Sequence, residues 1–296
     1  MPKLPLAYRS QVPLAPFTSL KVGGVAEYVA QPRSISELLE AWHWAKARGL
    51  PITLIGAGSN LLIHDQGLQG LVICTKHLRG VEFAAGRVKA ACGEPLAKLA
   101  WQCAERGWSG LQWGVGILGT VGGVVYMNAG AQGGCCADIL QTVEVLTPQG
   151  EVVTMPASAL DFGYRHSALQ TAAWQGYFVL EAEFQLQTGF DPTVIQKQTA
   201  QNFQQRHATQ PYHLPSCGSV FRNPYPHRAG QLIDQAGLKG FTIGRAQVSP
   251  VHANFIVNLG GATASDVYAV LRHVQEVVYQ QQGIWLHPEV KMLGYN

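Results

Sequence analysis

Residues 113–134 read WGVGILGTVGGVVYMNAGAQGG. Gly114, Gly116, Gly119, Gly122, Gly123, Gly130, Gly133 and Gly134 crowd into this run, with Thr120 and Asn128 among its few polar side chains. A residue without a Cβ lets main-chain N–H groups come within hydrogen-bonding distance of a ligand, and it accepts the positive φ that closely spaced turns require. Such a loop suits phosphate or a flat heterocycle. A membrane helix and a purely structural turn cluster compete with a ligand cradle. No Asp, Glu, Lys or Arg lies between Arg106 and Asp138, and Gly119 with Gly123 forms the small-residue pair of a packed membrane helix. Against a membrane span, Gln112, Asn128 and Gln132 would each need a partner in lipid. A cluster of tight structural turns also uses glycine in this way.

Outward from the run, PITLI at 51–55 is a compact apolar strand that leads directly into Gly56-Ala57-Gly58-Ser59-Asn60-Leu61. The strand-to-loop transition has the form of a dinucleotide fingerprint, but Leu61 stands where the third glycine belongs, which argues against a Rossmann unit. Serine and asparagine beside two glycines can still hold a pyrophosphate through N–H and side-chain donors. The remaining elements follow from local pattern. Strands are predicted at 22–30, 71–74, 81–83, 88–91, 143–146, 151–154 and 253–257. The segment 178–186 alternates, apolar at even positions, as a half-exposed strand does. Ser34 to Glu37 form a capping-box pattern ahead of a helix that Gly49 closes. Further helices are predicted at 94–106 with Pro95 in the first turn, from Pro192 to about 206 behind an Asp191 cap, at 229–236, and from Ser265 to Gly283. Many short strands with few helices imply an α+β fold, and Thr188 to Pro192 mark a boundary.

The chain of 296 residues is long for one core and suits two or three compact units. Its 21 basic and 18 acidic residues leave a net charge of +3, and the basic residues are scattered, so no nucleic-acid partner is expected while small anionic ligands remain open. Pro2, Pro5, Pro13 and Pro16 break the N-terminal stretch, which lacks the apolar core of a secretory signal. A cytoplasmic protein without membrane insertion is the expectation. Cysteines at 74, 92, 103, 135, 136 and 217 show no C-x-x-C spacing and the ten histidines are scattered, so reduced thiols and no metal site are expected.

Three polar clusters fit neither a core nor an ordinary surface. Phe162 to Ser167 carries Tyr164 and Arg165. Pro215 to Pro224 carries Gly218, which lets a backbone approach a ligand, Ser219 with its hydroxyl, and Arg222 and Asn223, which can bind an anion or amide. It lacks the G-x-S-x-G surroundings of a nucleophile elbow. Leu286 to Val290 carries Glu289. Taken one at a time, each is read equally well as solvated surface or turn.

Together with SLKVGGVAEY, GAGSNLLIHDQGLQGLVI, GILGTVGGVVYMNAGA, AGQLIDQAGLKG and VHANFIVN, the motifs YRHSAL, PSCGSVFRNP and LHPEV occur in an order and spacing that resemble the UDP-N-acetylenolpyruvoylglucosamine reductase family. The resemblance covers nearly the whole chain. It implies an FAD-binding part of the vanillyl-alcohol-oxidase kind, made of two α+β subdomains at 1–76 and 77–188, and a substrate-binding domain at 189–296. It implies FAD as bound cofactor, NADPH as co-substrate, and the enolpyruvyl ether of UDP-N-acetylglucosamine as substrate, turned over by a monomer. The implied catalytic residues are Arg165, Ser219 and Glu289. FAD contacts fall on Gly56, Gly58, Ser59, Asn60 and Leu61 and on Gly116, Gly119, Thr120, Gly122, Gly123, Asn128 and Ala129. Substrate contacts fall on Tyr164, Arg222 and Asn223.

The chain departs from the family's commoner residues at Leu118, in place of a Pro, at Ala57, in place of a Gly, and at Arg222, in place of a Lys. The last matters most, because arginine and lysine bind anions differently. The short spacing between the Tyr-Arg and Ser motifs marks a compact type without an extra substrate-covering loop. A different flavoenzyme of the same fold, or a nucleotide-sugar sensor without turnover, are the competing functions.

Overall fold

The computed structural model describes residues 8–295; Pro2 and Pro5 of the proline-rich start lie outside them. Two compact units divide the chain, one made of residues up to Ser10, 28–57 and 70–206, the other of 11–27, 58–69 and 207 onward. In chain order the first elements are β1 (Tyr8–Pro13), β2 (Val25–Ala30), α1 (Ile35–Lys46), β3 (Ile52–Ile55), β4 (Leu61–Ile63) and β5 (Leu68–Cys74). Strands β1, β2, β5 and β3 lie in that order in one sheet, with β3 and β5 parallel and Ile52 opposite Leu71. The predicted strand at 22–30 begins only at Val25, because Gly23 sits at φ 130 and a Cβ at Gly24 would lie 2.1 Å from the Asp65 carbonyl oxygen.

Helix α1 starts where its cap is: the Ser34 hydroxyl accepts from the Glu37 N–H at 3.2 Å. The other arm of the predicted capping box goes elsewhere, since the Glu37 carboxylate accepts from the Arg33 N–H at 2.7 Å. Leu38, Ala41, Trp42 and Ala45 form its buried stripe.

The rest of the first unit is organised on an antiparallel sheet. The hairpin β6 (Val81–Ala84) and β7 (Arg87–Ala91) precedes α2 (Leu96–Ala104), α3 (Val121–Met127) and the short hairpin β8 (Gly130–Ala131) and β9 (Gly134–Cys135). Then come β10 (Leu140–Leu146), β11 (Val152–Pro156) and β12 (Phe178–Gln185), and the sheet order is β11-β10-β12-β7-β6. Its pairings are antiparallel throughout. Pro95 stands at the N-cap of α2 rather than inside its first turn. In β12 the buried residues are Leu180, Ala182 and Phe184, as the alternation predicts, plus Val179, beside a register shift at Glu144/Val145. One core joins Trp42, Leu99, Val125, Val143 and Phe184.

Helix α4 (Pro192–Thr209) opens at its proline, with the Thr193 N–H donating to Asp191 Oδ1 at 2.8 Å. Only Ile195 and Thr199 are buried in it. Amides attach it to the glycine-rich run instead: Gln112 Nε2 donates to Gln198 Oε1 at 3.2 Å and Gln132 Nε2 to Gln205 Oε1 at 3.2 Å.

The second unit has its own core, in which Val267, Val270, Leu271, Val274 and Val278 of α6 (Ala264–Gln282) join Leu62, Phe221, Ile233, Val248 and Ile256. Ahead of α6 lie α5 (Ala229–Gln235), β13 (Thr242–Ile243), β14 (Ala246–Val248) and β15 (Ile256–Asn258), and β16 (Lys291–Leu293) follows it. β13, β14 and β15 form an antiparallel sheet, while β16 pairs in parallel with β4, Lys291 opposite Leu61. The strand predicted at 253–257 starts at Ile256, because Asn254 turns its side chain to the backbone of Phe221.

Two acids cap α6. Thr263 and Asp266 form a capping box, and Asp65 accepts from the N–H groups of Ala264 and Ser265, each at 2.8 Å, and from the Ser265 hydroxyl at 2.6 Å. Burial pushes the Asp65 carboxyl up, but these hydrogen bonds outweigh it and hold the group below the usual carboxylate value. A depressed folded-state pKa stabilises above the unfolded value and ceases to do so as pH falls through the folded one. Asp65→Asn keeps an acceptor but removes the negative charge at the start of α6, and should therefore cost about 0.3–1 kcal/mol at pH 7. The difference from wild type should shrink in unfolding curves as pH falls through the lowered Asp65 value; a difference constant with pH would exclude the charge as its source.

Among the described residues no helix is long and apolar enough to cross a membrane. The hydrophobic run that could have done so is broken into a 3-10 turn (Gln112–Gly116), α3 and a hairpin. All six cysteines are free, and burial pushes the thiols of Cys92, Cys103 and Cys217 up to about 12.

Candidate active site

In the first unit Gly56 and Thr120 meet. A Cβ at Gly56 would lie 2.4 Å from Thr120 Oγ1. That oxygen is buried without a hydrogen-bond partner, and although Thr120 stands at the N-cap of α3 its hydroxyl caps nothing. At exposed Gly123, only the same oxygen, at 3.9 Å, comes within 4 Å of the place a Cβ would take. Leaving a buried hydroxyl unpaired costs about 1–3 kcal/mol. Gly56 makes room for that hydroxyl and Gly123 leaves open space beside it; an unpaired hydroxyl so placed fits a bound cofactor that supplies the missing partner, and these residues suit the phosphate or ring polar atoms of FAD.

The other predicted cradle residues have structural duties as well. A Cβ at Gly122 would stand 3.0 Å from Cys92 Cβ, and the Gly119 carbonyl accepts from the Leu96 N–H at 3.0 Å. Gly116 is buried in the 3-10 turn. Ala129 donates its N–H to the Val124 carbonyl at 2.9 Å. Asn128 ends α3 in the left-handed region, φ 42. Its amide is used at both ends, donating to the Gly163 carbonyl and accepting from the Ala137 N–H, each at 2.9 Å.

Asn128 thereby ties the arginine cluster to the run. Gly163 and His166 exchange backbone hydrogen bonds at 3.1 Å each, which leaves Tyr164 and Arg165 at the tip of a tight turn. Arg165 takes φ 54, a conformation in which a bulky residue is an outlier. Its Nη2 donates to the Gly130 carbonyl at 2.7 Å and its guanidinium carbon lies 5.1 Å from the centroid of the exposed Tyr164 ring. The site spends backbone strain to hold one half-buried cation beside the glycine cradle.

In the second unit the structure brings the serine and glutamate clusters together. Phe221 bridges to Pro288, the Arg222 N–H donates to the His287 carbonyl at 2.9 Å, and the Glu289 N–H donates to the Val220 carbonyl at 2.7 Å. Gly218, at φ 77, turns the chain into Ser219, which is half-buried. Beyond it, Asn254 holds Phe221 on both sides, accepting from its N–H at 3.0 Å and donating to its carbonyl at 2.8 Å. The glutamate segment is anchored by Gln275 of α6, which donates to the Leu286 carbonyl at 2.7 Å.

The loop 58–61 is in this unit too. Gly58 is irreplaceable for a local reason, since at φ 66 its Cβ would fall 2.0 Å from the Phe17 carbonyl oxygen. Ser59 is half-buried, Asn60 donates to the Glu289 carbonyl at 3.1 Å, and Leu61 opens β4. Arg222 keeps its Nε buried without a hydrogen-bond partner. Burial and the charge of Arg222 hold the Lys291 ammonium below its ordinary value, so this unit carries two cations close enough to repel. Asn223 uses its side-chain oxygen to accept from the Ala229 N–H at 3.0 Å, at the start of α5. Asn254 and Lys291 were not singled out from sequence, where one of the two asparagines in VHANFIVN or a Lys after LHPEV carries no local signal.

Two family models match the chain. A family model for an FAD binding domain matches residues 26–156, and one for the UDP-N-acetylenolpyruvoylglucosamine reductase C-terminal domain matches residues 210–293. The UDP-N-acetylenolpyruvoylglucosamine reductase of Synechococcus elongatus is 55% identical over 285 residues, 96% of this chain and 93% of that protein. That of Trichormus variabilis is 51% identical over 288 residues, 97% of this chain and 86% of that protein. The crystal structure of UDP-N-acetylenolpyruvylglucosamine reductase (MurB) from Thermus caldophilus superposes with a TM-score of 0.82 at 34% identity, covering 97% of this chain and 98% of that one. Fold and matches together define an α+β flavoprotein oxidoreductase with an FAD-binding part followed by a dedicated C-terminal domain. Within that class, the chain belongs to the UDP-N-acetylenolpyruvoylglucosamine reductase family.

Proposed function

We propose that this chain acts as a cytoplasmic monomer in peptidoglycan precursor synthesis, reducing the enolpyruvyl ether of UDP-N-acetylglucosamine to UDP-N-acetylmuramate with NADPH as reductant. The observation that supports it most directly is the hydrogen bond from the Glu289 N–H to the Val220 carbonyl at 2.7 Å, which sets the glutamate segment beside the serine segment. When bound, FAD would supply hydride chemistry; reduction of the enolpyruvyl double bond then requires a proton at the carbon adjacent to the terminal one.

Arg165 stabilises the negative charge that spreads into the substrate carboxylate, where a fixed cation has its largest effect. Ser219 donates the proton to the carbanionic carbon, and Glu289 orients the substrate or assists the intermediate. Tyr164, Arg222 and Asn223 contact the substrate. Gly56, Gly58, Ser59, Asn60 and Leu61, with the run from Gly116 to Ala129, contact FAD.

The test is optical. Purified protein incubated with FAD should show oxidised-flavin absorbance and should consume NADPH only when the enolpyruvyl nucleotide sugar is present. Protein that takes up no flavin would discard any flavoenzyme function; NADPH oxidation without dependence on that substrate would point to another flavoenzyme of the same fold.

A further inference from the structure

We infer that Asn60 is a positioning residue for Glu289, a role distinct from the cofactor contact proposed for its loop. Three hydrogen bonds carry this. The Asn60 side chain donates through Nδ2 to the Glu289 carbonyl at 3.1 Å. The Asn60 carbonyl accepts from the Lys291 N–H at 3.0 Å, so the same residue grips the chain on both sides of Val290. From the other direction the Glu289 N–H is held by the Val220 carbonyl at 2.7 Å. The peptide groups flanking the glutamate are thus fixed by two different segments, one following Ser219 and the other opening β4.

The pairing beyond Asn60 stiffens this arrangement. Leu61, Leu62 and Ile63 lie opposite Lys291, Met292 and Leu293, and Leu62 and Ile63 are fully buried. Asn60 is the last residue before that ladder, and its amide adds a hydrogen bond that the parallel strands do not make. A carboxylate that must meet a substrate in one geometry loses rate steeply when it is displaced by about an ångström. Pro288 limits the chain on the N-terminal side of Glu289 by its fixed φ; on the C-terminal side Asn60 does the equivalent work by hydrogen bonding.

This inference rests on the proposal that Glu289 acts on the enolpyruvyl substrate, and the experiment separates the two. Asn60→Ala removes the donor, and Asn60→Asp keeps the size but sets an acceptor against the Glu289 carbonyl. Both are made in the holoenzyme, alone and combined with Glu289→Gln. The readouts are flavin affinity by fluorescence quenching, flavin reduction by NADPH, the substrate half-reaction across pH, and thermal unfolding as a check on folding.

In Asn60→Ala saturated with FAD, the substrate half-reaction should slow about tenfold, over and above any change in flavin affinity or NADPH reduction that loss of the loop's cofactor contact brings. Asn60→Asp should be slower still, and in the Glu289→Gln background Asn60→Ala should cost little more, because residues acting as a unit are not additive. If Glu289→Gln is itself slow and the Asn60→Ala loss multiplies with it, or if the loss lies wholly in flavin affinity, Asn60 does not act through Glu289. A Glu289→Gln variant as fast as wild type overturns the role of Glu289 and this inference with it.

Discussion

Ser219→Ala should leave flavin reduction by NADPH within about twofold of wild type and slow the substrate-dependent half-reaction by about 10²–10⁴, the range for removal of a positioned general acid. In the mechanism proposed above the proton goes to a carbanionic carbon, and a serine hydroxyl, a poor acid in water, can serve only if it is held in place and its alkoxide is stabilised by neighbouring dipoles. The holding is visible in the chain that follows it. The Val220 N–H donates to the Asn254 carbonyl at 2.9 Å, the Val220 carbonyl accepts from Glu289, and Phe221 is gripped on both sides by the Asn254 amide. These bonds run through the backbone and through Asn254, so none is lost when the hydroxyl is removed. The alanine variant should accordingly unfold at the wild-type temperature. Stopped-flow traces of the two half-reactions decide the matter: equal slowing of both would remove Ser219 from the proton-transfer step and make it a general structural or binding residue.

How far such a site can be read from residues alone depends on whether its parts have a local signal. Ser34 and Asp191 stand at helix starts for reasons contained in four consecutive residues, and the helices begin there; α6, expected from Ser265, begins at Ala264 behind a Thr263 cap that was not singled out. The stripe on α6 was visible as a period in the sequence for the same reason. The glycine-rich run was legible as a place where backbone meets something closely, but its helix was not. Gly122 and Gly123 lower helix propensity by about 1 kcal/mol each, and α3 exists because Val121, Val124 and Val125 are buried in the core of the first unit.

The β4–β16 pairing was illegible for a different reason. Each strand has three residues and the partners, Leu61–Ile63 and Lys291–Leu293, lie far apart in the chain, so neither period nor turn chemistry points to it. Asn254 and Asn60 belong to the same class, because each acts on the backbone of a remote segment. A side chain that holds distant main chain looks, in sequence, like any polar residue in a loop.

The backbone of Arg165 is equally hidden from sequence, and it leads to the second large effect. Arg165→Gly should lower turnover by about 10²–10³, the loss typical of removing one preorganised group from a developing anion, while changing folding stability by no more than about 1 kcal/mol. Ordinarily the loss of a half-buried, hydrogen-bonded arginine would be counted as destabilising. Here the residue sits at φ 54, where an L side chain costs about 1–2 kcal/mol and glycine costs nothing sterically. Relief of that strain offsets most of what is lost: the hydrogen bond to the Gly130 carbonyl, worth about 1 kcal/mol, the contact with the exposed Tyr164 ring, worth about 0.5 kcal/mol, and glycine's greater unfolded freedom, worth about 0.5–1 kcal/mol. Arg165→Lys gives the complementary comparison: it keeps the charge and the strain but loses the planar fork, so it should turn over faster than the glycine variant and slower than wild type. Urea unfolding and the substrate half-reaction, measured on the same preparations, separate the two quantities. A glycine variant that loses several kcal/mol would mean that the arginine serves the fold. Wild-type turnover in the glycine variant would mean that no cation at this position acts on the substrate's charge, and wild-type turnover in the lysine variant that charge suffices without the planar fork.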